Sequence, residues 1–218
     1  MKSFFILLMF ALSTALIGTS CNSSNADSGN AALSANARAG DNEEAQPNTD
    51  EPKITESTNT EPYTSEEGNF SILFPGTPEK TTETTPTEVG PIDITMYLYE
   101  AGPTLAYLVG YSDYPEEIIK NGDVNEMLKG AQEGVVGNIQ GEIVEDKNIL
   151  LDDKHSGKYF TAKSTQFNVV YELYLVNNRL YQVGVMSTQS LDNDPVAKEF
   201  VGSFKLLSSG NDGGEESQ

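Results

Sequence analysis

The stretch Phe167–Ser187 constrains this chain more than any other, because it carries two alternating runs joined by Asn177-Asn178. Val169, Tyr171, Leu173 and Leu175 alternate with Val170, Glu172, Tyr174 and Val176, the period of two expected when successive side chains point to opposite faces of a sheet. Asn tolerates positive φ better than any residue but Gly, so Asn177-Asn178 suits the two left-handed positions of a type I′ hairpin turn. That closure sets a register: Leu175 opposite Leu180, Tyr174 opposite Tyr181, Leu173 opposite Gln182 and Val170 opposite Val185. One face then carries Val169, Tyr171, Leu173, Leu175, Leu180 and Met186. The other carries Val170, Tyr174, Val176, Tyr181, Val183 and Val185. Both are apolar, whereas a hairpin open to water on one side is polar there. The pair is therefore expected at the centre of a sheet, with helices packed above and below.

Other strands follow from the same alternation. Asn69–Phe74 reads as a strand stopped by Pro75-Gly76, and the Thr-rich segment Lys80–Thr87 as an edge-like one. Ile92–Tyr99 and Leu105–Tyr111 form a hairpin across Ala101-Gly102-Pro103. Gly141–Leu150 and Gly157–Lys163 supply two more, and Phe204–Leu207 a final extended segment. Asp123-Val124-Asn125-Glu126 fits a capping box that opens a helix to about Asn138. Its apolar stripe is Val124, Met127, Leu128, Ala131, Val135 and Ile139. Gly130, Gly134 and Gly137 interrupt this helix and suggest close approach to the sheet. Asp194-Pro195 is an N-cap followed by Pro at the first helical position, opening a short helix to about Ser203.

The front of the chain has a different composition. Met1–Ile17 holds Lys2 and then a nearly unbroken apolar run, with the small residues Gly18, Thr19 and Ser20 before Cys21. This is the pattern of a secretory signal peptide over residues 1–20, too short for the roughly 20 apolar residues of a membrane span. Cys21 is the only cysteine among 218 residues, so it has no intramolecular disulfide to make. Leu16-Ile17-Gly18-Thr19-Ser20-Cys21 resembles the lipobox of bacterial lipoproteins, in which the cysteine is acylated and becomes the mature N-terminus; Gly18 departs from the usual Leu. The alternative is ordinary signal cleavage that leaves a free thiol. Lipidation of Cys21 is the expectation, because an unpaired exposed thiol is a liability in an oxidising compartment.

From Asn22 to Gly68 the chain is mainly Asn, Ser, Thr, Ala, Glu and Pro, with Leu33, Ile54 and Tyr63 isolated. Such a segment cannot bury enough surface to offset its ordering entropy. Residues 21–68 are therefore expected to be a lipidated cysteine on a disordered acidic tether with a reach of roughly 35–40 Å. The folded domain is then 69–207, with a disordered tail over 208–218. With 33 acidic and 13 basic side chains the net charge is −20, which makes nucleic acid a poor partner. The membrane, reached through Cys21, and an envelope protein are the partners expected, and the location is the bacterial cell envelope.

A resemblance comes from Phe70-Ser71-Ile72-Leu73-Phe74-Pro75-Gly76, Tyr111-Ser112-Asp113-Tyr114-Pro115, Asn178-Arg179-Leu180-Tyr181-Gln182 and Phe200 through Ser203-Phe204-Lys205. These segments resemble a family of small bacterial exported domains similar in fold to PsbP, the extrinsic protein of photosystem II, and to a Ran-binding import factor. The resemblance implies an α+β fold over Asn69–Leu207: an antiparallel sheet with helices on both faces, a PsbP-like α/β/α sandwich. It implies no activity.

Chemistry-bearing residues are few. His155 is the single histidine and sits in Asp152-Asp153-Lys154-His155-Ser156-Gly157, a turn-like composition in which neighbours do not easily form a triad. Asp192-Asn193-Asp194 offers oxygen ligands to Ca²⁺ but lacks the Gly and distal Glu of an EF-hand loop. The tyrosines, Tyr97, Tyr107, Tyr111 and Tyr181 among them, suit either an interface or a half-buried sheet. No catalytic, cofactor-binding or metal site is assigned; the one site marked is Cys21. The expectation is a lipid-anchored, non-enzymatic binding module. The alternatives are an enzyme using acidic residues such as Asp153 and Glu172, and a carrier of Ca²⁺ or a small ligand.

Overall fold

A computed structural model describes residues 61–87 and 90–207. The expected leader, Cys21, most of the expected tether and the expected tail lie outside those residues. The Phe167–Ser187 stretch forms β8 (Asn168–Val176) and β9 (Arg179–Ser187), with Leu175 opposite Leu180, Tyr174 opposite Tyr181 and Val170 opposite Val185, as alternation and turn length require. Asn177 takes the left-handed backbone at φ 56°, but Asn178 does not share it. The paired left-handed turn occurs instead at Asp152-Asp153, φ 52° and 54°, where the Lys154 N–H donates to the Leu151 carbonyl at 3.1 Å.

This hairpin lies within a sheet of seven antiparallel strands in the order β3-β4-β5-β9-β8-β7-β6. The others are β3 (Glu79–Thr87), β4 (Gly90–Glu100), β5 (Leu105–Asp113), β6 (Glu142–Leu151) and β7 (His155–Lys163). The two faces divide as their periodicity dictates. Val169, Tyr171, Leu173, Leu175, Leu180 and Met186 share a core with Leu128 and Val135 of helix α2 (Val124–Asn138). Asp123 starts that helix by accepting from the N–H groups of Asn125 at 2.7 Å and Glu126 at 3.2 Å. At Gly137 an added Cβ would meet nothing within 4 Å, so this glycine does not mark close packing on the sheet. A six-residue helix the sequence did not announce, α1 (Glu116–Asn121), precedes α2.

The opposite face corrects the expected sandwich. Val170, Tyr174, Val176, Tyr181, Val183 and Val185 pack against Phe70, Ile72, Phe74 and Phe204, side chains of a second sheet and its flank. That sheet has the order β1-β2-β10, from Tyr63–Ser65, Phe70–Ile72 and Lys205–Leu206. The eight-residue helix α3 (Pro195–Gly202), capped by Asp194, adds Ala197, Phe200 and Val201 beside it. Among the described residues the fold is mostly β, 51% strand against 20% helix, in two antiparallel sheets with three short helices. It is not an antiparallel sheet with helices packed on both faces. The physical reason lies in Phe70, Ile72 and Phe74: their period of two gives the strand Phe70–Ile72 and the residues just after it an apolar side that packs on the large sheet. Each buried aromatic there contributes about 1.5–3 kcal/mol by leaving water.

The folded part also reaches back past Asn69. Tyr63 stands opposite Ile72, and its ring meets Phe74 edge-on at 5.8 Å, so the expected boundary between tether and domain at 68/69 falls inside the small sheet. A three-residue strand with one aromatic has no period to read.

Candidate functional site

The residues with catalytic or ligating chemistry do not converge. Asp153 sits on the exposed β6–β7 turn, and His155 opens β7 opposite Leu151. His155 and Ser156 are successive strand residues and so point to opposite faces, which takes apart any Asp-His-Ser constellation. Glu172 lies mid-strand in β8, opposite Tyr159 and Val183, away from that turn. Its carboxyl is pushed up by burial, partly offset because the Tyr174 hydroxyl donates to Glu172 Oε2 at 2.6 Å. Asp194 is occupied as a helix cap, accepting from Val196 N at 2.8 Å and Ala197 N at 3.1 Å, while Asp192 is exposed. Among the described residues no three His, Cys, Asp or Glu side chains gather as a metal site.

The densest polar network was not legible in the sequence. Arg179 donates from Nε and Nη2 to the two carboxylate oxygens of Asp113 at 2.6 and 2.7 Å, and from Nη1 to the Glu67 carbonyl at 3.0 Å. Its guanidinium lies 4.3 Å from the Tyr111 ring centroid. Tyr181 donates its hydroxyl to the Gly68 carbonyl at 2.8 Å, and Ser65 Oγ bonds the Tyr97 hydroxyl at 2.7 Å. Glu67 pairs with Lys80 and accepts from the Tyr111 hydroxyl at 3.2 Å. Its carboxyl is held below the usual range, first by the Lys80 hydrogen bond and then by Tyr111. These partners span up to 113 positions in sequence, beyond any local pattern. They fasten the turn 65–69 across the end of the large sheet, which is structural work. Tyr97, Tyr107, Tyr111 and Tyr181 are all buried, which settles them as core rather than interface.

A cavity of about 20 Å³ between sheet and α2, bordered by Ile94, Met96, Gly110, Val135, Ile139 and Gln182, is sized for a single water. Pockets for small organic ligands are far larger.

The feature that departs from ordinary surface is strand β6. Among the described residues it is the last strand of the order and pairs on one side only, with β7. Ile143, Val144 and Leu150 are 43%, 55% and 59% exposed, and these are the large exposed apolar side chains of the described residues. Val144 is the extra residue of a bulge between the pairs Ile143–Ala162 and Glu145–Thr161. The opposite edge, β3, presents Thr, Glu and Pro86 instead. An unpaired strand edge with apolar side chains is a template for another strand. Compared with known proteins, the chain matches no family profile and no curated protein.

Proposed function

We propose that this chain is a lipid-anchored protein of the bacterial cell envelope, a non-enzymatic binding module held by an acylated Cys21 and docking a protein partner along β6. The observation that carries it is the apolar strip Ile143, Val144 and Leu150 on one open sheet edge, beside a polar edge at β3. Further support comes from the lipobox-like Leu16–Cys21 and from the acidic balance, which disfavours nucleic acid. The enzyme alternative has less to support it: Asp153 lies on the exposed β6–β7 turn and Glu172 mid-strand in β8.

The test places a photo-crosslinking residue at Leu150 in living cells, with Thr84 on β3 as the control position, beside a Cys21→Ala variant. The N-terminal mass is read from the same sample. The expected result is a protein adduct from Leu150 that is several-fold weaker from Thr84 and from Cys21→Ala, with an acylated N-terminus. Absence of any adduct, or a hydrolytic turnover abolished by Asp153→Ala or His155→Ala, overturns the proposal.

A further inference from the structure

We infer that Glu172 makes the docking of the small sheet sensitive to pH: with its carboxyl protonated the small sheet sits firmly on the large one, and with it ionised the joint opens more often and lets β1 and β2 go. The joint involves β8 and the small sheet, not the β6 edge.

Glu172 stands between Val170 and Tyr174 on the face of β8 that meets the small sheet, and it is half-buried there. The Tyr174 hydroxyl donates to Glu172 Oε2 at 2.6 Å, and among the described residues no lysine or arginine pairs with the carboxyl. Directly across on β7 is Tyr159, whose buried hydroxyl has no hydrogen-bond partner among the described residues; across on β9 is Val183. The charged groups nearby are otherwise engaged. Lys147 of β6 lies 5.6 Å from the Tyr159 ring centroid but pairs with Glu145 at 2.5 Å. Lys198 of α3 acts on Glu145, Asp152 of the β6–β7 turn acts on Tyr174, and Lys205 of β10 is exposed. A carboxylate half-buried with one donor and no cation is less stable than the neutral acid in the same place, and burial pushes this carboxyl up, with the Tyr174 hydrogen bond offsetting part of the effect.

Two ring contacts carry this to the small sheet. The Tyr174 ring stacks on Phe204 at 5.8 Å, and Phe204 stacks on Phe70 of β2 at 5.7 Å. A Cβ added at Gly157 would collide with the Tyr174 ring, so the ring has no room to swing toward β7 and stays between Glu172 and Phe204. Lifting the small sheet uncovers Tyr174 and lets water reach Glu172, which relieves the ionised form and does little for the neutral one. The closed form therefore binds more protons than the open one. Its opening constant rises with pH from the ordinary carboxyl value through the raised one, by up to about tenfold per pH unit. The fastening at the turn 65–69 has the opposite sign. Glu67 is held below the usual range by Lys80 and then by the Tyr111 hydroxyl, so its contribution is lost only as pH falls through that lowered value. Because β1 follows the expected tether, opening adds β1 and β2 to its reach; that consequence rests on the anchored reading of Cys21, while the joint does not.

The test is hydrogen exchange of the full chain, read at the amides of β1, β2 and α2 at two pH values, 4.5 and 7.5, and corrected for the intrinsic pH dependence of exchange. Glu172→Gln, Tyr174→Phe and Glu67→Gln are run beside the parent. The opening constant at β1 and β2 is expected to rise by at least about threefold between the two values, while α2, on the other face of the large sheet, does not follow. Glu172→Gln flattens the rise. Tyr174→Phe widens it, because losing the donated hydrogen bond drives the carboxyl further up. Glu67→Gln loosens the turn at both values alike and leaves the rise as it is. A parent chain without the rise overturns the inference, and so does a rise that survives Glu172→Gln, that Tyr174→Phe does not widen, or that α2 shares in full.

Discussion

Tyr171 lies against Gly184 across the β8–β9 pair, so closely that a Cβ added at Gly184 would stand 2.6 Å from two atoms of the phenol ring. The glycine is the space the ring occupies. Tyr171 is 1% exposed, so its ring has no open side into which to retreat. Gly184→Ala should cost about 1–3 kcal/mol as an overpacked core, and Gly184→Val more. Urea unfolding followed by tyrosine fluorescence would measure it. A loss below about 0.5 kcal/mol would mean that the ring moves aside without cost.

Phe204 holds the small sheet to the large one. It stacks on Phe70 at 5.7 Å and on Tyr174 at 5.8 Å, and tilts against Tyr181 at 5.2 Å. Phe204→Ala should cost about 3–5 kcal/mol. Native-state hydrogen exchange should show β1 and β2 losing protection by more than α2, because they sit on opposite faces of the large sheet.

Arg179 secures the turn 65–69 through a planar two-bond pairing with Asp113 and by stacking on Tyr111. A lysine keeps the charge and loses both geometries. Arg179→Lys should therefore destabilise nearly as much as Arg179→Ala, about 1–2 kcal/mol each. Faster amide exchange at Gly68 and Asn69 should accompany it. A Lys variant with native stability would reduce the contact to simple charge.

Glu172 gives a pH dependence with a definite sign. Its carboxyl titrates above the ordinary range because burial disfavours the ionised form, so between the unfolded and folded values the folded chain binds more protons. This group therefore lowers stability as pH rises from the unfolded value of about 4.3 through its raised folded value. Glu172→Gln removes that titration while its side-chain oxygen still accepts from the Tyr174 hydroxyl. The variant should gain stability relative to the parent at pH 7.5, and the gain should shrink toward pH 4.5, read from urea midpoints at the two values. An equal difference at both would overturn the assignment.

Much of the large sheet is written locally. The alternation over Phe167–Ser187 correctly sorts twelve apolar side chains onto two faces, and the hairpin register follows from turn length. Asp123 and Asp194 mark their helix starts because a cap involves only the next three residues. The helix opened by Asp194-Pro195 does pack on the second face, but it shares that face with a small sheet, because a period of two in Phe70, Ile72 and Phe74 specifies an extended segment with an apolar side. That period does not say which sheet the segment joins.

By itself the sequence determined which segments alternate, where two helices begin, how the central hairpin pairs, and the single cysteine at 21 with its leader-like approach. Those are properties of neighbours a few positions apart, set by backbone geometry and side-chain periodicity. Only the tertiary structure decided that a second sheet covers one face, that Arg179 reaches Asp113 and Glu67, and that β6 is the last strand of the large sheet among the described residues, with Ile143 and Leu150 exposed. These depend on the order in which strands close across long loops, and an apolar residue in a strand looks the same in sequence whether its neighbour is a core, a small sheet or solvent.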